Sequence, residues 1–331
     1  MIILTKEDME QCFSMEEAIQ AAEQASKIYT QGDALVPLRA NLDVKEYNGQ
    51  SLYMPAFTKG EVSSLGVKIV AVYPDNVKKG LPAVPATMIV QDAETGVVTA
   101  VLDGTYLTQL RTAAVQGAAT KALANEEAKI GALIGTGGQG YQQAIAMLTA
   151  RQLEELRVLD IDFDRAKTFA DQLSKDIQGK FDTKIYAVES STEAVRDADV
   201  ITTVTTSKVN TFNAEDVKKG VHVNGIGAYT PEMLELPMQL LIEADTVIFD
   251  TKDGVLSEAG DVQAPIKEGL MTEEDFTGEL GELLLSQVKG RQNKEEVTVF
   301  KSVGSAVLDT VTAQIIVEKA TELGIGQIIE F

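Results

Sequence analysis

Six residues, Gly135-Thr136-Gly137-Gly138-Gln139-Gly140, follow a short apolar run, Ile130 to Ile134. A helical pattern comes next, and a second apolar run, Leu156 to Leu159, closes on Asp160. Strand, glycine turn, helix, strand and acid, in that order, is what a dinucleotide requires. Gly135 permits the tight turn, Gly137 lets backbone approach a pyrophosphate, and Gly140 lets the helix pack on the strand. The helix start offers unpaired N–H groups and a positive dipole end to phosphate. Asp160 follows Gly140 by 20 residues, where a carboxylate accepts hydrogen bonds from an adenosine ribose. The glycines alone also fit an ordinary turn; the strand, helix and acid in register favour the dinucleotide. Asp160 and Asp162 repel a 2′-phosphate, and no arginine follows directly, although Arg165 is close. NAD is therefore expected, with NADP as the second choice.

Three cations stand out among apolar neighbours. Lys68 lies inside LGVKIVAV, Arg39 in LRANLDV and Arg111 in QLRTAA. Each has a bland reading, Lys68 as a snorkelling strand residue and the arginines as solvent-facing charges. Together they would form a pocket fit for a carboxylate, which a guanidinium binds through two parallel hydrogen bonds. Spacing alone leaves their convergence open. His222, the single histidine, alternates with Val221 and Val223 and reads as a satisfied core residue. The one cysteine, Cys12, has no internal partner, and no Cys/His cluster suggests a metal.

Composition narrows the classes. At 331 residues the chain has room for two domains, and 44% hydrophobic with 24% charged residues is a globular profile. A net charge of −21 opposes binding to nucleic acid or an anionic membrane surface. The start, MIILTKEDMEQ, lacks a basic region and cleavage site, and no apolar run suits a membrane span. A cytoplasmic location is expected.

The elements that must position these residues fall into two styles. Thr5 with Asp8 and Ser14 with Glu17 fit capping boxes, so helices are expected before residue 33. From 35 to 103 the pattern has period two, giving strands at 38–44, 50–57, 65–74, 87–92 and 97–103 in a mostly antiparallel layer. The last two are joined by a hairpin turn at Ala93-Glu94-Thr95-Gly96. A helix over 104–125 precedes a βα alternation: helix 163–179, strand 183–188, a helix from about Ser190, then strands 200–205 and 221–227. Helix 231–244 and strand 245–250 follow, and strand 297–300 is expected to end the sheet. The acidic run 273–284 reads as a solvated helix face. The helix over 305–324 has little of this sheet left to cover and is expected to cross back to the first domain. The fold class is α/β: a doubly wound Rossmann sheet over 125–303 plus a discontinuous α+β domain from 1–124 and 304–331.

The segment LPAVPATMIVQDAETGVVTAVLDGTYLTQLRTAAVQGAATKALA, with IGTGGQGYQQ, LDID, NGIGAYTPEMLELP and FKSVGSAVLD, closely resembles the ornithine cyclodeaminase/mu-crystallin family. The resemblance runs from about Arg39 to Asp309 in motif order. It implies hydride transfer at the α-carbon of an amino or imino acid with NAD(P), as in the family's ketimine and pyrroline-2-carboxylate reductases and alanine dehydrogenase. It implies that Arg39, Lys68 and Arg111 hold a substrate carboxylate, with Val303 near the substrate. Thr112, Gly138, Gln139, Asp160, Ile226 and Ser302 would surround the cofactor, with Thr205 near the nicotinamide. The discontinuous domain would bind substrate and build a homodimer.

One departure matters. Cyclodeaminases carry aspartate in the motif here written Gly227-Ala228-Tyr229-Thr230-Pro231, then lysine four residues on; this chain has Tyr229 and Met233. Cyclisation with ammonia release needs a carboxylate for acid–base work. A phenol, with an ordinary pKa of about 10, donates a proton but is a poor base, and Tyr229 also fits a packing role in the cleft. A reductase or dehydrogenase, with Lys68 or Tyr229 as hydrogen-bond donor to the substrate nitrogen, is the primary expectation. Ornithine cyclodeaminase comes second, and a non-catalytic NAD(P)-binding protein of the mu-crystallin kind third. The retention of all three cations argues against the last.

Overall fold

The computed structural model describes residues 1–330. The chain divides into two compact units, one formed by Met1–Arg111 with the residues from Ser305 onward, the other by Thr112–Gly304. The division falls inside the helix Gly104–Leu123, whose first turn is capped by Asp103 Oδ1 accepting from the N–H groups of Thr105 and Tyr106.

The first unit is one sheet covered by helices. Its strands are Ile2–Leu4 (β1), Ala34–Leu35 (β2), Ala40–Val44 (β3), Gly49–Thr58 (β4), Ser64–Val72 (β5), Ala86–Gln91 (β6) and Val98–Asp103 (β7). The order is Gln327–Ile328, β1, β7, β6, β5, β4, β2, with β3 also on β4; only the β1–β7 pairing is parallel. The period-two pattern is realised residue by residue: Leu52, Met54 and Ala56 of β4 face inward while their neighbours are partly exposed. Both predicted capping boxes form, at Thr5/Asp8 and Ser14/Glu17. Gly96 closes the β6–β7 turn at φ +73°, the left-handed conformation the turn requires. The C-terminal helix Ala306–Leu323 lies on β4 and β5 and against helix Met15–Thr30. Gly66 packs tightly against β6: a Cβ there would sit 2.6 Å from the Ile89 carbonyl oxygen, whereas Thr310 Cγ2 of the helix, at 3.6 Å, would be in ordinary contact.

The second unit is a parallel sheet of Ile130–Ile134 (β8), Glu155–Leu159 (β9), Lys184–Ala187 (β10), Val200–Thr203 (β11), His222–Gly225 (β12), Thr246–Phe249 (β13), Gly278–Glu279 (β14) and Thr298–Lys301 (β15). The order β10-β9-β8-β11-β12-β15-β13-β14 reverses direction between β8 and β11, the switch point where a doubly wound sheet binds its ligand. Buried Ala132, Ile134, Ile201, Val223, Val247 and Val299 give strands apolar on both faces a continuous core.

Strand β15 is the last of this sheet in chain order, as expected, and lies between β12 and β13. Two expectations need correction here. The acidic run 273–284 is not one solvated helix: β14 sits within it as the edge strand, and Leu280 and Gly281 behind it are buried. The helix expected over 231–244 spans only Met238–Glu243. Pro237 sets its start, and the preceding segment is drawn off the helical path by Glu235, whose carboxylate turns inward onto other loops. Among the described residues no helix is long and apolar enough to cross a membrane, and no His/Cys/Asp/Glu group forms a metal cluster.

His222 is a core residue. It is fully buried, with Nδ1 2.9 Å from Thr298 Oγ1 and Nε2 3.0 Å from Asn224 Oδ1. Burial, reinforced by the Arg291 guanidinium, pushes its pKa down to about 3. The unfolded chain binds a proton at this residue near pH ~6.5, so between that pH and about 3 the unfolded state holds the extra proton and the fold loses stability as pH falls. His222→Gln should remove this dependence: the wild-type-minus-variant difference in unfolding free energy should shrink by about 1.4 kcal/mol for each pH unit below ~6. Thermal melts of both proteins from pH 7 to pH 4 check this; parallel curves would mean that folded His222 protonates freely. The Gly66 contact yields a second expectation. Gly66→Ala should cost about 1–3 kcal/mol, because backbone rather than a flexible side chain blocks the new methyl, and urea unfolding measures it.

Candidate active site

Residues of β5 alternate so that Ser64, Gly66, Lys68 and Val70 share the buried face. Lys68 is therefore aimed at the helix covering the sheet, where it meets Asp309. Its ammonium donates to both carboxylate oxygens at 2.7 Å each, and Arg111 Nε donates to Oδ1 at 2.8 Å. Lys68 is 1% exposed and Asp309 0%. Arg111 Nη1 is also buried and has no hydrogen-bond partner, so one arm of the guanidinium is left for a ligand. Burial pushes the Lys68 pKa down to about 7, Arg111 lowers it further, Asp309 opposes both, and Arg39 adds to the lowering. The structure thus brings Lys68 and Arg111 onto one carboxylate, with Arg39 close enough for its charge to be felt by Lys68.

Asp309 escaped the reading of the sequence as a site residue. Its signal was an acid inside an apolar helical run, AVLDTVTAQII, the counterpart of a lysine inside an apolar strand. Neither position is tolerable alone, since a buried charge needs a partner.

The other candidates collect in the second unit, several of them at the C-terminal edge of its sheet. Gly135 ends β8 at φ +108°, and a Cβ there would lie 2.6 Å from the Val204 carbonyl oxygen. Gly140 opens helix Gly140–Ala150, and a Cβ would lie 2.8 Å from the Gly135 oxygen, so the helix meets the strand end this closely because residue 140 is glycine. Gly137 and Gly138 are exposed, and nothing lies within 4 Å of where a Gly137 side chain would begin. The helix start has no side-chain cap, and the Gln139 Oε1 is buried without a partner. Bare backbone and an uncapped helix start fit a bound pyrophosphate.

Asp160, at the end of β9, accepts from the Thr136 N–H at 2.9 Å and Thr136 Oγ1 at 2.6 Å, and pairs with Arg165. Burial alone would raise its pKa, but these hydrogen bonds outweigh it and hold it at about 2. Asp160 is thus a fixed anion, and Arg165 is already engaged by it. Thr112 is buried with an unpartnered hydroxyl. Thr205 and Ile226 follow β11 and β12; Ser302 and Val303 follow β15. Ser302 donates its proton to Asp250 at 2.6 Å, which leaves its oxygen as an acceptor only. Tyr229 lies half-buried in the loop after β12.

Three buried carboxylates hold these loops, and none was singled out from the sequence. Glu235 accepts from the N–H groups of Thr205, Gly227 and Ala228, the last two at 2.6 and 2.8 Å. Asp261 accepts from the N–H groups of Glu235 and Leu236 at 2.7 and 3.0 Å, and forms a 3.0 Å ion pair with fully buried Lys301. Asp250 collects the N–H groups of Thr251, Val303 and Gly304 besides the Ser302 hydroxyl. Burial pushes the carboxyls of Glu235 and Asp250 up; Lys301 and the Thr205 hydrogen bond pull the first back, and Ser302 and the N–H donors the second. These residues sit far in sequence from the loops they fix, which is why no local pattern marks them.

Comparison with known proteins bears on the whole length. The profile of the ornithine cyclodeaminase/mu-crystallin family matches residues 1–324. A Δ1-pyrroline-2-carboxylate reductase of Bacillus thuringiensis subsp. konkukian is 38% identical over 331 residues, covering 100% of both chains. The solved Δ1-pyrroline-2-carboxylate reductase of Thermococcus litoralis, in complex with NADH and L-proline, superposes with a TM-score of 0.93 at 38% identity, covering 99% of this chain and 100% of that one. An archaeal alanine dehydrogenase dimer with bound NAD superposes with a TM-score of 0.89 at 34% identity, covering 100% of this chain and 99% of that one.

Proposed function

The chain belongs to the ornithine cyclodeaminase/mu-crystallin family, and we propose that within it the chain is an NAD-dependent reductase of cyclic imino acids such as pyrroline-2-carboxylate. The observation that carries this reading is the buried cluster of Lys68, Arg111 and Asp309 with one guanidinium arm unpartnered. Arg111 and Arg39 bind the substrate carboxylate, and Val303 contacts the substrate. Lys68, with a pKa of about 7, donates the proton to the imine nitrogen at neutral pH. Tyr229 is a second donor to that nitrogen. When bound, the reduced nicotinamide supplies the hydride to the α-carbon.

On the cofactor side, the backbone of Gly135 to Gly140 and the start of the following helix hold the pyrophosphate, with Gln139 and Thr112 as side-chain donors. Asp160 accepts from the ribose hydroxyls. Its fixed charge repels a 2′-phosphate, and because Arg165 is committed to Asp160 it is poorly placed to compensate. This favours NAD over NADP. Thr205, Ile226 and Ser302 border the nicotinamide. Residues 1–124 and 304–331 serve as the substrate and dimerisation domain and 125–303 as the dinucleotide domain. The reading includes a homodimer working in the cytoplasm; the archaeal alanine dehydrogenase is solved as a dimer.

Tyr229 stands where a cyclodeaminase has aspartate, so cyclodeamination of ornithine is the weaker reading. The test is a panel of pyrroline-2-carboxylate, piperideine-2-carboxylate, alanine and ornithine with each cofactor, following absorbance of the reduced nicotinamide and release of ammonia. Imine-dependent oxidation of NADH, faster than of NADPH, is expected. Silence on every imine would falsify the reductase, ammonia and proline from ornithine would restore the cyclodeaminase, and tight cofactor binding without turnover would leave a binding protein. Lys68→Ala should lower imine reduction roughly 10²–10⁴-fold while NADH binding, measured by fluorescence titration, stays unchanged.

A further inference from the structure

We propose that Asp309 is a positioning residue for this reaction: it holds Lys68 and Arg111 in register and supplies the counter-charge that lets Lys68 carry a proton inside an apolar shell. The inference rests on the reductase reading for its chemistry, but its geometry stands on the first unit alone.

The shell comes first. In the sheet register Lys68 lies opposite Met54 on β4 and Met88 on β6, and both methionines are buried. Nothing polar on those two flanking positions can solvate an ammonium. The charged groups that reach Lys68 are Asp309 from the C-terminal helix, Arg111 from helix Gly104–Leu123, and Arg39 from the segment before β3. Two of the three are cations. Without Asp309 the lysine would sit in apolar surroundings facing only like charge, and its neutral form would prevail.

Geometry adds an aiming role. An ammonium has three N–H bonds. Asp309 takes Lys68 hydrogen bonds on both oxygens, which fixes the direction of what remains. Its Oδ1 also takes Arg111 Nε, so the guanidinium plane is set and Nη1 is left open. One carboxylate thereby orients a proton donor and a carboxylate receptor together. Lys68, Arg111 and Asp309 sum to one positive charge and Arg39 adds a second, so the cluster attracts a substrate carboxylate.

The proton step balances. An N–H bond of Lys68 breaks as one forms on the imine nitrogen, the bound reduced nicotinamide gives two electrons as hydride to the α-carbon, and the C=N π pair becomes the nitrogen lone pair. Neutral Lys68 then takes a proton from water. Lys68 must begin protonated, so activity is lost as pH rises through its pKa of about 7. Burial and Arg111 lower that value and Asp309 raises it, so removing the carboxylate moves the loss to lower pH.

The experiment measures kcat/KM for pyrroline-2-carboxylate against pH at saturating NADH in wild type, Asp309→Asn and Asp309→Glu. Calorimetric binding of pyrrole-2-carboxylate, a planar analogue that cannot be reduced, is followed over the same pH range. For Asp309→Asn the alkaline limb of both profiles should move down by about one pH unit or more, with NADH affinity unchanged. Asp309→Glu keeps the charge but alters its reach, so its limb should stay near that of wild type while turnover falls. If Asp309→Asn loses activity evenly at all pH, or keeps the wild-type limb, the residue is structural only and the proposal fails. If Asp309→Asn does not fold, Asp309→Glu decides: wild-type turnover with a lowered Tm overturns the proposal. A wild type that binds the analogue but reduces no imine would sink the reductase reading, while the binding profiles would still test Asp309.

Discussion

A buried lysine is the constraint around which the first unit is arranged. Lys68 occupies an inward position of a central strand, where any residue on that face must be covered. Covering an ammonium with apolar side chains alone is prohibitively costly, so the covering helix has to bring a carboxylate. It does so from 241 residues away, with Asp309 on the last long helix. The return of the chain's end to the sheet near its beginning therefore follows from charge as well as from apolar area. Such a cluster adds little stability relative to a well-packed apolar core. What it adds is two cations with defined directions.

The second unit solves a similar problem with the signs reversed. Loops at the C-terminal edge of a parallel sheet present N–H groups that no strand satisfies. Glu235, Asp250 and Asp261 collect eight of them, besides the Ser302 hydroxyl, and Lys301 pairs with Asp261. Loops tied this way are held rigid without any ligand, which is what a site needs if it is to discriminate by geometry. The irregular segment 231–237 exists for this reason. A regular helix there would have kept Glu235 from reaching Thr205, Gly227 and Ala228 together.

The legible part of the sequence was local. Capping boxes, the Gly96 turn and the glycine loop are each decided within a few residues, by steric rules or by one hydrogen bond, and the structure has them where spacing put them. Alternation gave β4 to β7 to within two residues because one face is covered by helix, so buried positions alternate with partly exposed ones. What could not be read was long-range. Glu235 looks like a solvent-facing acid until its partners are known, Asp309 is marked only by the apolar run around it, and β15 could not be placed inside the sheet because strand order is not a local property. Lys68 was the exception, conspicuous in an apolar strand but silent about the acid it meets.

The acids also bear on which reaction the chain performs. Cyclodeamination asks for a carboxylate near the loop after β12 that can take up and release protons. Glu235 touches that loop, but it is buried and engaged by three N–H donors, so it cannot leave them without unfastening Thr205 and Gly227. Tyr229 offers a phenol instead. Lys68 has a proton to exchange near neutrality, with a pKa of about 7, because burial and Arg111 work against Asp309. A proton donor beside a carboxylate receptor, as Lys68 stands beside Arg111, suits the addition of a hydride and a proton across C=N. It does not suit a reaction that must accept a proton from one amine while protonating another. On that ground the reductase reading rests on the chain's own electrostatics as well as on its relatives.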